Sequence, residues 1–200
     1  MGSGSVAHMA KRSNAGRQRP GSVRIIAGEW RGRRISIAEH TEVRPTPDRV
    51  RETVFNWLRE LLPGARCLDL YAGTGALGFE ALSRGAEEVW FVDKDAALIE
   101  ALNMQATKLG VRPRVLRQDV LALLSGPATT RFDVAFLDPP YVLPVEPVLA
   151  LLPMWLTPDA LVYVERPRLP GLPEIANASW WRRSHAGAVE YGLLKFTDAV

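Results

Sequence analysis

Residues 67–78, CLDLYAGTGALG, join a short apolar run to a glycine-rich turn. The apolar run predicts a buried strand, and the residues from about Ala76 onward predict a helix, so Gly73, Gly75 and Gly78 fall between a strand and a helix. In this context the spacing indicates a nucleotide-binding turn, although a tight turn without a ligand has the same pattern. The fold therefore depends on whether the alternation of strand and helix continues along the chain.

The alternation does continue, as far as residue 165. The runs EVWFVD, RVLRQD, DVAFLDPPY and ALVYVE predict strands, and helices are expected from about Ala76 and Ala96, just after Asp119, and through Leu149. Because these strands are continuously apolar, they predict a sheet that is buried on both faces. We therefore expect an α/β fold with a doubly wound, mostly parallel sheet, which ends in a hairpin whose turn lies near the letters HAG.

The segment before this alternation predicts a smaller unit. VRIIAGEWRGRRISI predicts two short strands, and RPTPDRVRETVFNWLREL predicts a helix that Thr46 caps and that ends at Pro63. The apolar stripe of this helix comprises Val50, Val54, Trp57, Leu58 and Leu61. We expect residues 23–62 to form an N-terminal extension, residues 63–200 to form the Rossmann-like domain, and residues 1–22 to form a flexible basic tail. Residues 1–9 resemble an expression-vector remnant, with Met9 as the natural start.

Charge and composition favour a nucleic-acid partner. Residues 1–51 contain 11 Lys and Arg against 4 Asp and Glu, whereas the rest of the chain contains 14 against 18. A basic arm on a mildly acidic body favours binding to a polyanion, although a solvated tail would have the same composition. Cys67 is the single cysteine and lies in an apolar run, so we expect a buried thiol and a cytoplasmic location. Because the histidines are scattered, we expect no metal site. The apolar runs are too short to span a bilayer, so we expect no membrane contact.

Four aspartates follow or end the predicted parallel strands. They are Asp69, Asp93, Asp119 and Asp138. Because the carboxyl ends of parallel strands lie at one edge of a sheet, we expect all four to face a single crevice, where ligands bind in such folds. Taken singly, Asp93 and Asp119 are equally explained as ordinary helix caps.

Asp69 distinguishes between two classes of cofactor. A dinucleotide would place its pyrophosphate at the glycine turn, and an acid directly before that turn would repel it. S-adenosylmethionine carries an ammonium and a sulfonium and no phosphate, so Asp69 favours it. Asp93 is placed to accept hydrogen bonds from the ribose hydroxyls, as in both cofactor classes, and Asp119 to bind the adenine amino group.

The tetrapeptide Asp138-Pro139-Pro140-Tyr141 indicates a site for a planar amine. Two prolines restrict the backbone and offer no amide donor, so the carboxylate of Asp138 and the nearby carbonyls are acceptors. An exocyclic amine on a base stacked on Tyr141 would donate its two N–H groups to the Asp138 carboxylate and the Pro139 carbonyl. Its lone pair would then point at a methyl donor, and alignment would supply most of the catalysis.

These motifs resemble those of Rossmann-type methyltransferases that act on amino groups. More narrowly, RIIAGEWRGRRI, RPTPDRVRETVFNWL, GALGFEALSRGA and YVE resemble the bacterial family that methylates N2 of a guanine in 16S ribosomal RNA, with similarity from about Val23 to Phe196. The resemblance implies an S-adenosylmethionine-dependent monomer that acts on ribosomal RNA in the small subunit or its assembly intermediate. Some family members have Phe at position 141, which implies that the Tyr141 hydroxyl is dispensable.

The resemblance also implies roles for individual residues. Asp138, Pro139, Pro140 and Tyr141 would hold the guanine amino group. The cofactor would lie against Asp69, Tyr71, Gly73, Gly75, Asp93, Lys94, Asp119 and Val120. The RNA would contact Arg24, Trp30, Arg31, Arg33, Arg34 and Arg44, with Trp30 as a stacking surface.

Other interpretations remain open from the sequence. The acceptor could instead be adenine N6 or a protein glutamine, and a chain that has kept the fold without catalysis would be an RNA-binding assembly protein. A nicotinamide-dependent oxidoreductase rests on the glycine spacing alone. The basic hairpin could be a solvated edge, and surface pairing with Asp48 and Glu52 explains Arg49 and Arg51 as well as phosphate contact does.

Overall fold

The computed structural model describes residues 21–36 and 46–197. The strands in these ranges are β1 (Ser22–Arg24), β2 (Arg34–Ser36), β3 (Arg66–Leu70), β4 (Glu88–Asp93), β5 (Arg114–Arg117), β6 (Phe132–Leu137), β7 (Leu156–Pro167), β8 (Ala178–Ala186) and β9 (Val189–Phe196). The last seven form one sheet with the order β5-β4-β3-β6-β7-β9-β8. Five strands, β5, β4, β3, β6 and β7, run parallel to one another, whereas β9 is antiparallel to both β7 and β8.

Helices cover both faces of this sheet. They are α1 (Asp48–Trp57), α2 (Ala76–Ser83), α3 (Ala96–Leu109), α4 (Val120–Leu124) and α5 (Glu146–Leu151), and a 3₁₀ turn (Leu152–Trp155) follows α5. Cys67 and Phe91 pack in one apolar cluster with α1, α2 and α3, whereas their neighbours Leu68 and Val92 pack in a second cluster with α4 and α5. The doubly wound, mostly parallel sheet predicted from the sequence is therefore confirmed. No helix in the described ranges is long and apolar enough to cross a bilayer.

The boundaries of the elements agree with the sequence except at the first helix. Helices begin at Ala76 and Ala96 as predicted, and the final hairpin turns at Gly187. The prediction that Thr46 caps α1 is wrong, because Pro47 occupies the N-cap position and no side chain caps the helix. The helix ends at Trp57 and gives way to turns before Pro63. The thiol of Cys67 is fully buried, as expected, and burial raises its pKa.

The β1–β2 hairpin is fixed to α2 by buried polar contacts. The Glu80 carboxylate accepts hydrogen bonds from the amides of Ile26 at 2.7 Å and Ala27 at 3.0 Å. The Ser83 hydroxyl accepts from the Trp30 amide at 3.0 Å and donates to the Ala27 carbonyl at 2.6 Å. These bonds satisfy backbone groups in the hairpin turn that would otherwise lose their solvation on docking.

Arg51 joins the hairpin, α1 and α2. Its side chain has no exposed area, which excludes a phosphate contact, and the pairing with Asp48 is present although only Asp48 is at the surface. Its guanidinium donates to Asp48 at 2.7 Å and to the Arg24 carbonyl at 2.8 Å, and lies 3.5 Å from the Glu80 carboxylate. Arg51 therefore links the hairpin to α1 and α2, and the loss of one of its acidic partners would leave an uncompensated buried charge.

Candidate active site

The carboxyl ends of the adjacent strands β5, β4, β3 and β6 bring the four predicted aspartates to one edge of the sheet. Asp69 is the residue before the end of β3, Asp93 ends β4, Asp138 follows β6, and Asp119 caps α4 just after β5. The carboxylates of Asp138 and Asp93 both raise the pKa of Asp69, in addition to the larger effect of its burial. The structure therefore places a strongly acidic crevice at this edge.

The glycine turn at residues 71–75 connects β3 to α2. Gly75 is the N-cap of α2 and has a φ of 74°, a left-handed conformation that favours glycine. Two amides of this segment are already bound to acids, since the Gly73 amide donates to Asp93 Oδ2 at 3.0 Å and the Gly78 amide donates to Asp69 Oδ2 at 2.9 Å. Because carboxylates occupy these two amides, neither is available to a pyrophosphate, which disfavours a dinucleotide at this turn.

Asp69 lies deeper than the sequence suggested. Its side chain is buried behind the turn, and only 3% of the residue is exposed. Burial raises its pKa well above the ordinary value, while the hydrogen bond from Gly78 acts in the opposite direction. The carboxyl group is therefore placed behind the crevice, where it holds the start of α2 through the Gly78 amide.

Asp93 and Asp119 differ in how far they act as helix caps. The cap of α3 is Asp95, whose carboxylate accepts from Ala97 and Leu98, so Asp93 is not that cap. Asp93 instead accepts from the Gly73 amide and, through Oδ1, from the Asp95 amide at 3.0 Å. Asp119 does cap α4 by accepting from the Ala122 amide at 3.1 Å, and its side chain is exposed.

The other predicted cofactor residues surround these acids. Tyr71 has a positive φ of 57° and is partly exposed. Burial and the nearby Asp119 carboxylate both raise the pKa of the Tyr71 phenol. Lys94 is exposed directly after Asp93, and Val120 is buried in the first turn of α4.

Asp138 is held by a residue from outside the sheet. The Thr46 hydroxyl, which lies just before α1, donates to Asp138 Oδ2 at 3.0 Å. Burial and, to a smaller extent, the Glu165 carboxylate raise the pKa of Asp138, whereas the Thr46 hydrogen bond and Arg166 lower it, and together they bring it to about 8. Pro139 is buried, whereas Pro140 and Tyr141 are exposed, so the segment presents a carboxyl group and an aromatic ring at the mouth of the crevice.

Strand β7 supports the same segment from below. The Tyr141 hydroxyl donates to Glu165 Oε1 at 3.1 Å, so the hydroxyl that was expected to be dispensable has a hydrogen-bond partner. The Arg166 guanidinium donates to the Tyr141 carbonyl and the Leu143 carbonyl, each at 2.9 Å. Side chain and backbone of this segment are therefore both fixed by β7.

The basic hairpin is only partly as predicted. Arg24, Arg31, Arg33 and Arg34 are exposed. The prediction that Trp30 offers a stacking surface is wrong, because Trp30 is 5% exposed and packs in the core against α2. Its indole belongs to the apolar cluster that also contains residues of α1, α2 and α3, where burial of a large aromatic ring is favourable. Arg44 lies outside the described residues.

Three residues that the sequence did not assign to the site belong to it. Thr46 was interpreted as a helix cap, and Glu165 and Arg166 received no role. The rule that selected the four aspartates would also have selected Glu165, because this acid follows an apolar run near the carboxyl end of the neighbouring strand β7. No local pattern distinguishes Thr46 from an ordinary cap.

Comparisons with known proteins agree with this geometry. A family model described as conserved hypothetical protein 95 matches residues 23–195. The ribosomal RNA small subunit methyltransferase D of Escherichia coli strain K12 is 41% identical over 179 residues, which cover 86% of this chain and 89% of that protein. The protein of the same name from Haemophilus influenzae is 42% identical over 180 residues, with 86% and 93% covered. The solved structure of yhhF from Escherichia coli matches with a TM-score of 0.82 at 38% identity, over 89% of this chain and 100% of that chain.

Proposed function

Because the chain belongs to the family described as conserved hypothetical protein 95, with relatives named ribosomal RNA small subunit methyltransferase D, we propose that it methylates small-subunit ribosomal RNA with S-adenosylmethionine. The acceptor that we propose is N2 of a guanine in 16S ribosomal RNA. The observation that supports an amino acceptor is the segment from Asp138 to Tyr141 at the carboxyl end of β6, next to β3 and its glycine turn, where Asp138 is partly buried and the Tyr141 ring is exposed. The names of the relatives support small-subunit ribosomal RNA as the substrate. The choice of guanine N2 rests on the sequence resemblance.

The residues of the crevice fit S-adenosylmethionine by their charge. Asp69, Asp93 and Asp119 lie along the edge of three adjacent strands, and the amides of the glycine turn are bound to the first two of them. A cationic, phosphate-free molecule is attracted to such an edge, whereas a pyrophosphate is repelled. In the proposal, Tyr71, Gly73, Gly75, Lys94 and Val120 line the same pocket, Asp93 binds the ribose and Asp119 the adenine. The cofactor supplies an electrophilic methyl group.

The chain's own residues position and activate the acceptor. The Asp138 carboxylate and the Pro139 carbonyl accept the two N–H bonds of the guanine amino group while the base stacks on Tyr141. These hydrogen bonds reduce conjugation of the nitrogen lone pair with the ring and aim it at the methyl carbon. As the bond from nitrogen to the methyl carbon forms, the bond from that carbon to the sulfonium sulfur would break and leave a neutral thioether. The nitrogen would become positive, and Asp138 would stabilise this charge and accept the proton that leaves.

We assign RNA contact to the N-terminal extension, residues 23–62, and the methyl transfer to the Rossmann-like domain, residues 63–200. The exposed arginines Arg24, Arg31, Arg33 and Arg34 neutralise backbone phosphates in this proposal. The substrate is the small subunit or its assembly intermediate, because a fixed crevice and a fixed basic hairpin recognise folded RNA by shape. The protein acts as a monomer.

The decisive experiment uses labelled S-adenosylmethionine with small subunits that lack the modification, with free 16S ribosomal RNA and with DNA. The RNA is digested and the labelled nucleoside is identified. We expect N2-methylguanosine from the small subunit, and its loss in the Asp138→Ala variant with cofactor affinity unchanged in calorimetry. Label in N6-methyladenine or in a protein glutamine would overturn the proposed acceptor, and equal loss of transfer and cofactor binding in the variant would overturn the role of Asp138.

A further inference from the structure

Glu165 is a buried acid in direct contact with the proposed base-binding segment. It lies in β7, and 3% of the residue is exposed. Its Oε2 accepts a hydrogen bond of 2.7 Å from the buried Tyr163 hydroxyl, and its Oε1 accepts one of 3.1 Å from the Tyr141 hydroxyl. The carboxylate therefore connects a fixed ring inside the sheet to an exposed ring at the mouth of the crevice.

We propose that Glu165 is a positioning residue, which holds the Tyr141 ring through its hydroxyl in the orientation that stacks on the substrate base. The proposal rests on the proposed function, because it assumes that a planar base lies on Tyr141. Glu165 touches neither the base nor the methyl donor in this scheme. It acts on the base through Tyr141, and Tyr163 fixes its own orientation. Because Glu165 also raises the pKa of Asp138, the variants are compared at pH 9, above that pKa.

The cost of burying this acid supports a specific role. A buried carboxylate loses its solvation, and its pKa is raised by burial although the two tyrosine hydroxyls lower it. An apolar side chain at this place in β7 would avoid that cost and still fill the sheet. Burial and Glu165 both raise the pKa of Tyr141, so its phenol keeps its proton and remains a donor.

The exposure of Tyr141 explains why such a support is needed. The residue is 46% exposed and the following Val142 is 90% exposed, so packing on this ring is incomplete. Arg166 fixes the backbone of the segment by its hydrogen bonds to two carbonyls, but those bonds leave rotation about the side-chain torsions of Tyr141 free. The hydrogen bond to Glu165 restricts that rotation.

The test compares Tyr141→Phe, Glu165→Gln and the double variant in steady-state methyl transfer to undermodified small subunits. Phe keeps the ring and removes the hydroxyl. Gln keeps the size of the side chain but offers one acceptor oxygen for two hydroxyls, and the shorter bond to Tyr163 is expected to retain it. We expect each single variant to lower kcat about 3- to 10-fold, as for a hydrogen bond of ordinary strength, with cofactor affinity within about 2-fold of the wild type.

The double variant distinguishes positioning from a general structural effect. If Glu165 acts through the Tyr141 hydroxyl, the double variant is no slower than the slower single variant, whereas independent effects multiply. Thr107→Val serves as the control, because it removes a hydroxyl that bonds to the Asn103 carbonyl in α3 and is expected to leave kcat unchanged. A wild-type kcat in Tyr141→Phe, or multiplied effects in the double variant, would overturn the role of Glu165 and would leave the proposed function intact. Absence of transfer by the wild-type protein would overturn the proposed function and this proposal with it.

Discussion

The hydroxyl of Thr46 donates a 3.0 Å hydrogen bond to Oδ2 of Asp138, although 92 positions separate the two residues in the chain. Thr46 itself is buried, with 6% exposed. The N-terminal part of the chain thus contributes a donor to the acid that we assign to the acceptor amine. This bond favours the ionised form of Asp138, since it lowers a pKa that burial raises.

Replacement of this donor is expected to slow methyl transfer. In Thr46→Val the shape is kept and the hydroxyl is lost, so the ionised carboxylate loses a hydrogen bond and its orientation. A bond to a charged group contributes about 1.5–3 kcal/mol, which corresponds to a decrease in kcat of about 10- to 100-fold. Thr46→Ser should restore most of the activity. Thr53→Val is the control, because that hydroxyl lies on the exposed side of α1 and bonds only to the Arg49 carbonyl among the described residues. Equal rates for Thr46→Val and the control would contradict the assignment.

The raised pKa of Asp138 predicts a pH-dependent stability. Its folded-state pKa is about 8, well above the ordinary value of an aspartate, so the stability linked to its protonation is fully present below about pH 4 and is lost as pH rises through 8. Asp138→Asn keeps a neutral side chain at all pH values, so the variant should gain stability relative to the wild type as pH rises. We expect a gain of at least about 1 kcal/mol at pH 9, or about 2–4 °C in Tm for a domain of this size, measured by thermal unfolding without cofactor.

The same variant should be inactive. Because Asn lacks the carboxylate that accepts the amine proton and stabilises its charge, transfer should fall by at least about 100-fold. If the variant is both more stable and inactive, its loss of activity cannot be attributed to a loss of folding. If the difference in stability between the variant and the wild type stayed constant from pH 5 to 9, the raised pKa of Asp138 would be contradicted.

The contact of the hairpin with α2 can be tested at two glycines. Gly28 and Gly32 both have a φ of 84°, but a Cβ at Gly28 would lie 1.8 Å from the Ser83 carbonyl oxygen, whereas a Cβ at Gly32 meets nothing within 4 Å. Both alanine variants place a residue with a Cβ in a left-handed conformation, which lowers the free energy of unfolding by about 1–2 kcal/mol. Gly28→Ala should cost a further 1–3 kcal/mol or so, because the hairpin must move off α2. Chemical denaturation measures the difference, and equal stabilities would show that the close approach does not constrain the hairpin.

The exposed arginines of the hairpin predict the salt dependence of substrate binding. Replacing Arg31, Arg33 and Arg34 with Gln should weaken binding to the small subunit and reduce the slope of log affinity against log salt by about 2–3, since each phosphate contact contributes about 0.7–0.9. Binding isotherms at several salt concentrations check this result. Cofactor affinity serves as the internal control, and an unchanged slope would rule out phosphate contacts.

Arg166 should affect the base-binding segment through the backbone. In Arg166→Met the bonds to the Tyr141 and Leu143 carbonyls are lost while the length of the side chain is kept. We expect kcat to fall about 10-fold, with cofactor affinity unchanged, because a small misplacement of Asp138 and Tyr141 weakens the alignment of the acceptor. Arg168→Met is the control, since Arg168 is exposed two residues later. Equal effects of the two variants would argue against a clamp.

The sheet and the acidic edge were predictable because their causes are local. The glycine turn after CLDL and the continuous apolar runs determine which segments become strands, and the parallel order then brings Asp69, Asp93 and Asp138 together. The depth of Asp69 was not predictable, since it depends on how α2 closes over the turn, with the Gly78 amide bound to its carboxylate.

Other features depend on contacts between distant segments, and the sequence does not encode these locally. A tryptophan among arginines suggests an exposed stacking surface, but Trp30 faces inward because the Ser83 hydroxyl binds its amide and draws the hairpin onto α2. Thr46 precedes a helix as a capping residue would, and the Asp138 carboxylate takes its hydroxyl instead. Such bonds form only after the sheet has brought both partners together.

The buried contacts of Glu80 with the hairpin amides and with Arg51 have a consequence for substrate choice. They attach the arginine-bearing hairpin to α2, the helix that begins at the glycine turn of the crevice. An RNA that binds the arginines can present a base to Asp138 only if its own fold holds that base at the distance that separates the hairpin from the crevice. Discrimination among chemically identical bases would then depend on this distance and would precede methyl transfer.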